Sequence, residues 1–110
     1  MDMKEKLAAV ILAAAKRGIA DGVFPEAELP AVELEVPPKK EMGDFATNFA
    51  MKSAKAFRKS PRQIAEALSE WFARDGIERV EIAGPGFINF YLTKDVIYDG
   101  LRAAVAAGED

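Results

Sequence analysis

The sequence predicts an α+β domain, on three observations. Apolar residues recur at helical spacing near residues 7–14, 46–57, 64–72 and 96–105, and they alternate with polar ones near 32–36, 80–82 and 87–92. The last two alternating runs are joined by Gly84-Pro85-Gly86, a turn sequence that returns the chain as a hairpin. Helices separated in sequence from a hairpin-containing sheet imply a small antiparallel sheet with helices on one face, here in the order αβααββα.

Each element has a local cause. Leu7, Val10, Ile11 and Ala14 form one helical stripe, which Asp21-Gly22 and Pro25 bring to an end. A polar, proline-containing connection to Pro30 follows. Val32, Leu34 and Val36 then alternate with Glu33 and Glu35, the pattern of a half-buried strand, and Pro37-Pro38 cannot extend a sheet ladder. Lys39 to Gly43 reads as an exposed loop. Asp44 is placed to accept from the free backbone N–H groups of a second helix whose apolar face would be Ala46, Phe49, Ala50 and Phe57.

Ser60-Pro61 supplies a cap and a first helical residue for a third helix carrying Ile64, Leu68, Trp71 and Phe72, closed by Asp75-Gly76. Val80 and Ile82 alternate with Arg79 and Glu81 as the second strand, and Phe87 to Leu92 forms the third. Thr93 would cap a last helix with Val96, Ile97, Leu101 and Val105. The expected core face of the sheet is Val32, Leu34, Val36, Val80, Ile82, Ile88, Phe90 and Leu92. Residues 1–107 make one domain, and 108–110 read as a frayed end or the start of a linker.

Composition narrows the chemistry. With 110 residues the chain can bury one core without staples, and 50% hydrophobic with 30% charged residues is ordinary for a globular chain. The absence of cysteine removes disulfides, thiolate metal sites and cysteine nucleophiles, and the absence of histidine removes the commonest general base and metal ligand. No phosphate-loop or dinucleotide fingerprint occurs, and Gly84 and Gly86 precede a strand, with no helix dipole behind them. Glu33 and Glu35 read as a wet strand face. No catalytic constellation and no metal site emerge. Leu7 to Ala15 is apolar and follows lysines, loosely like a secretory leader, but Asp2 and Glu5 dilute the positive start.

The third strand is the most informative segment. Ile88, Phe90 and Leu92 point one way, and Phe87, Asn89 and Tyr91 the other, because side chains alternate across a strand. Two rings flanking a carboxamide are able to stack on an unpaired base and hydrogen-bond its edge. The same pattern also suits packing beneath a partner domain or terminal helix. The net charge of −3 argues against sequence-blind attraction to nucleic acid, yet Lys52, Lys55, Arg58, Lys59 and Arg62 concentrate positive charge, either as a solvated helix face or as a phosphate contact. Lys52, Lys55 and Lys59 are the candidates for the backbone contact. Glu33, Glu35 and Glu81 share the open face and repel phosphate, so nucleic acid must enter at the strand end or from the basic helix.

Gly43-Asp44-Phe45-Ala46-Thr47-Asn48, followed in order by Gly84-Pro85-Gly86-Phe87-Ile88-Asn89-Phe90, resembles the N-terminal additional domain of arginyl-tRNA synthetases. The resemblance covers essentially the whole chain, including Lys59-Ser60-Pro61-Arg62-Gln63-Ile64-Ala65. It implies a module that touches the elbow of arginine-accepting tRNA and reads an unpaired D-loop nucleotide. Phe87 would match the aromatic packed on that base and Asn89 the polar residue reading its edge.

The family's His-[IV]-Gly-His-type signature for ATP is impossible without histidine, and Lys52-Ser53-Ala54-Lys55 matches its lysine-rich mobile loop only superficially. The resemblance therefore implies a fragment of a cytoplasmic class I arginine–tRNA ligase that uses ATP and Mg²⁺. Its partners would be tRNA and the catalytic and anticodon-binding domains of the same chain, with no membrane or DNA involved. The rival reading is a stand-alone adaptor that docks protein through Phe87 and Tyr91.

Overall fold

The computed structural model describes residues 3–93. Its elements are helix α1 (Met3–Ala20), a single 3-10 turn (Lys40–Met42), strand β1 (Phe45–Thr47), helices α2 (Phe49–Phe57) and α3 (Pro61–Trp71), and strands β2 (Ile77–Ala83) and β3 (Phe87–Leu92). The sheet is antiparallel in the order β1-β3-β2, so β3 is the central strand. The α+β class and the order of elements through β3 agree with the sequence. The expected helix carrying Val96, Ile97, Leu101 and Val105, and the end at 108–110, lie outside the described residues.

Helix α1 buries Leu7, Ile11, Ala14, Ala15 and Gly18, the face that its periodicity marks. Gly18 permits a close approach: a β-carbon there would stand 2.4 Å from the Phe24 ring. Phe24 stacks on Phe57 with ring centroids 4.4 Å apart and meets Trp71 edge-on at 6.0 Å, joining the ends of α1, α2 and α3. Ser60 and Gln63 form the reciprocal capping box of α3, with Pro61 in its first turn. The helices cover one sheet face, where Ile88 and Phe90 are fully buried and the Phe90 ring lies 5.4 Å from that of Phe72.

The first strand is not the one that alternation suggests. Residues 32–36 make only the isolated bridge Glu35↔Ala46, and the strand is Phe45–Thr47. Val32 and Leu34 do pack against the core, but Val36 is 67% exposed, contrary to its expected place on the buried face. Prolines at 30, 37 and 38 bound the run, and prolines supply no N–H to a ladder. Asp44 likewise does not cap α2. Its carboxylate accepts from the Leu92 N–H at 2.9 Å, while its own N–H donates to the Phe90 carbonyl at 2.8 Å. The helix starts after Asn48, with Thr47 Oγ1 accepting from the Phe49 N–H at 3.2 Å. Ala46, expected on the helix's apolar face, stands on the sheet opposite Asn89.

Candidate nucleic-acid interface

Register determines what surrounds the outward side of β3. Asn89 pairs with Ala46 on one side and Glu81 on the other, and Ala46 pairs in turn with Glu35. Paired residues share a face, so Glu35, Ala46, Asn89 and Glu81 form one row across the outer surface. Ala46 is the small member of the row, and space is left above it. Pro37, Pro38 and Met42 border that space, leaving a half-open pocket of about 210 Å³ that is also lined by Glu35, Ala46, Ala83, Phe87 and Asn89.

Asn89 is therefore not an open surface residue, as alternation alone implies, but is 5% exposed on a pocket wall. Its carboxamide hydrogen-bonds no described residue. The residue as a whole is 5% exposed, but its amide atoms are not among the fully buried, unpartnered ones, so they remain open to the pocket and are available to a ligand there. Phe87 stands beside it with 41% of its surface exposed, a free ring face at the rim.

Tyr91 shares the outward side but does not line the pocket. The Arg79 guanidinium lies 3.9 Å from its ring centroid, and the one phenol O–H is shared between the Glu41 carbonyl and, at 3.1 Å, Glu81 Oε1. It thus ties the 3-10 turn down onto the sheet. Arg79 also pairs with Glu81 at 3.0 Å. Desolvation lowers the Arg79 pKa most, but the bonds and charges of Tyr91 and Glu81 together outweigh it and raise the pKa, so this counter-charge to Glu81 is permanent. Sequence reasoning missed the segment over the pocket. Pro37-Pro38 signals a loop, but nothing local says where a loop will lie.

The basic residues separate into two groups. Lys52 donates to the Ala31 carbonyl at 2.9 Å and lies 3.7 Å from Glu33, so it staples the incoming connection to α2. Lys55 is exposed and Lys59 half-buried, and neither pairs with a carboxylate among the described residues. Arg62 donates to the Gly84 carbonyl at 2.8 Å, which joins the first turn of α3 to the hairpin turn. No helix among the described residues is long and apolar enough to cross a membrane.

A family model described as arginyl tRNA synthetase N terminal domain matches residues 1–92. An arginine–tRNA ligase of Citrifermentans bemidjiense is 51% identical over 92 residues, covering 82% of this chain and 17% of the relative. That of Bacillus subtilis is 40% identical over 109 residues, covering 97% of this chain and 18% of the relative. Among solved structures, arginyl-tRNA synthetase from Plasmodium falciparum superposes with a TM-score of 0.73 at 17% identity, over 91% of this chain and 18% of that one. The Thermus thermophilus enzyme superposes with a TM-score of 0.68 at 21% identity, over 90% of this chain and 15% of that one. At those identities the likeness is one of fold.

Proposed function

The chain belongs to the family of arginyl-tRNA synthetase N-terminal domains, and on that premise we propose that it binds the elbow of arginine-accepting tRNA and takes one unpaired D-loop nucleotide into the pocket beside Phe87. In this reading the base stacks on Phe87 and its edge hydrogen-bonds the Asn89 carboxamide. Tyr91 acts with them by holding the pocket's cover in place. The observation that carries the reading is the Asn89 carboxamide, 5% exposed on an apolar-walled pocket with no hydrogen-bond partner among the described residues. A carboxamide that is held in place, uncommitted to the fold and open to the pocket can both donate to and accept from the edge of a base.

The chain spans 17–18% of the ligases it matches. Arginine activation with ATP and Mg²⁺, and the attachment of arginine to tRNA in the cytoplasm, are assigned to other parts of a full-length arginine–tRNA ligase. This domain contributes binding energy at a site remote from the reacting ends, which positions the tRNA for the chemical step.

Charging kinetics with tRNAs altered at single D-loop nucleotides test the proposal in a full-length synthetase carrying this domain. One substitution should raise KM for tRNA by an amount matching the loss of a base-edge contact, about 1–3 kcal/mol, and Asn89→Ala should erase that difference. If every D-loop variant is charged alike, the pocket serves some other ligand, and a protein partner of the exposed Phe87 becomes the better reading.

A further inference from the structure

We propose that Arg58 and Arg62 form the phosphate-binding ridge of this interface, holding the RNA backbone on the hairpin-turn side of the pocket; the inference rests on the pocket's reading as a nucleotide site. A nucleotide seated against Phe87 has a phosphate on either side of it, and only cations close to that ring and fixed relative to it can hold those phosphates in register. Glu35, on the pocket wall beneath Pro37 and Pro38, makes that side repulsive. The backbone therefore has to run past the other rim, where Ala83, Gly84 and Phe87 lie.

Arg62 stands at that rim. Its Nη1 donates to the Gly84 carbonyl at 2.8 Å, and a β-carbon on Gly84 would be only 3.7 Å from the Phe87 ring. The turn cannot drift away from the helix that carries Arg62: Gly86 sits so close to Pro61 that a β-carbon would fall 2.5 Å from that of the proline. No carboxylate among the described residues pairs with Arg62. A guanidinium has five donors in a planar fork, so the bond to Gly84 orients the group and leaves the others for a phosphate.

Arg58 brings an independent observation. It caps α2 in the left-handed conformation, with φ 57° and ψ 40°, and is the one non-glycine residue with positive φ among those described. Glycine is the usual occupant of such a helix-ending position because a β-carbon is strained there. A long cation standing where glycine would relax the backbone is consistent with a use for its side chain. It is exposed, and no described carboxylate pairs with it. The turn through Lys59 and Ser60 leads from it directly into Arg62. By contrast Lys52, on the same basic stretch, is held by Ala31 and Glu33.

Aminoacylation of arginine-accepting tRNA by a full-length synthetase carrying this domain tests the ridge, with KM for tRNA measured across a series of monovalent salt concentrations. Arg62→Gln and Arg58→Gly should each raise KM about tenfold at low salt, as expected for loss of a charge-assisted bond. Each should also reduce the slope of log KM against log salt by about 1, because one fewer phosphate is neutralised. Arg62→Lys should recover most of the slope, and Arg58→Gly should raise the melting temperature while weakening tRNA binding. Unchanged slopes in both variants overturn the ridge, as does a KM rise in Arg62→Gln that comes with a lowered melting temperature and an unaltered slope. Phe87→Ala, run with tRNAs altered at the recognised nucleotide, keeps the two ideas apart. Lost nucleotide preference with unchanged arginine slopes removes the ridge alone, whereas intact preference with flattened slopes removes the pocket reading and leaves a backbone contact.

Discussion

The two sides of β3 are built from neighbouring residues and obey different rules. On the inner side Ile88 and Phe90 are fully buried and Leu92 is nearly so, all against apolar neighbours, as a core requires. On the outer side, Phe87 is exposed, Asn89 lines a pocket with its carboxamide bonded to no described residue, and Tyr91 is engaged by Arg79, Glu81 and a loop carbonyl. A surface under no demand but solubility would have used charged or small polar groups there. The contrast teaches that the inner side is accounted for by the folded chain alone, whereas the outer side leaves an exposed ring and an uncommitted carboxamide that the fold does not require, the feature on which the proposed binding role rests.

The largest expected effect attacks the inner side. Phe90→Ala removes a fully buried ring and should cost the 110-residue chain about 3–5 kcal/mol in denaturant unfolding, through lost burial and a cavity. A loss near zero would mean that the inner side is not the core. Tyr91→Phe probes the outer side's own structural member. It removes the bonds to Glu41 and Glu81 but keeps the ring under Arg79, so stability should fall by about 1 kcal/mol. Discrimination at the D-loop nucleotide should weaken with it, since the pocket's cover loses an anchor; full discrimination in this variant would show that the cover is held by other means.

Smaller still is Lys52→Ala. Its partners are the Ala31 carbonyl and Glu33 at a partly exposed site, so unfolding should shift by less than about 1 kcal/mol and the salt dependence of tRNA binding should stay as it is. A flattened salt dependence would place Lys52 on the RNA after all and blur the separation between structural and binding cations.

The sequence made the inner side of β3 legible almost completely, because a period of two over Ile88, Phe90 and Leu92 has one physical meaning when a Gly-Pro-Gly turn precedes it. The caps of α3 were legible for the same reason: Ser60, Pro61 and Gln63 are a purely local device. Two features were not. Asp44 is a residue type that caps helices, but it is held by the Leu92 N–H, a partner far along the chain, and α2 starts after Asn48, whose side chain makes no cap bond. Burial of Asn89 depended on where the Pro37–Met42 segment came to rest, which is fixed by Tyr91 and by the bridge at Glu35, again long-range contacts. Residue types at the site could be read from alternation and resemblance; the pocket that gives Asn89 its meaning could not.

The most direct test of the central claim is Asn89→Leu, which keeps the approximate shape of the side chain and removes its polarity. Two readouts are needed: unfolding of the 110-residue chain, and charging by a full-length synthetase of tRNAs altered at the recognised D-loop nucleotide. If the carboxamide serves the ligand and not the fold, stability should hold to within about 1 kcal/mol, because the side chain makes no hydrogen bond to a described residue that the substitution could break. Nucleotide preference should disappear. A marked loss of stability with the preference intact would contradict the account, because Asn89 would then belong to the fold and not to the ligand.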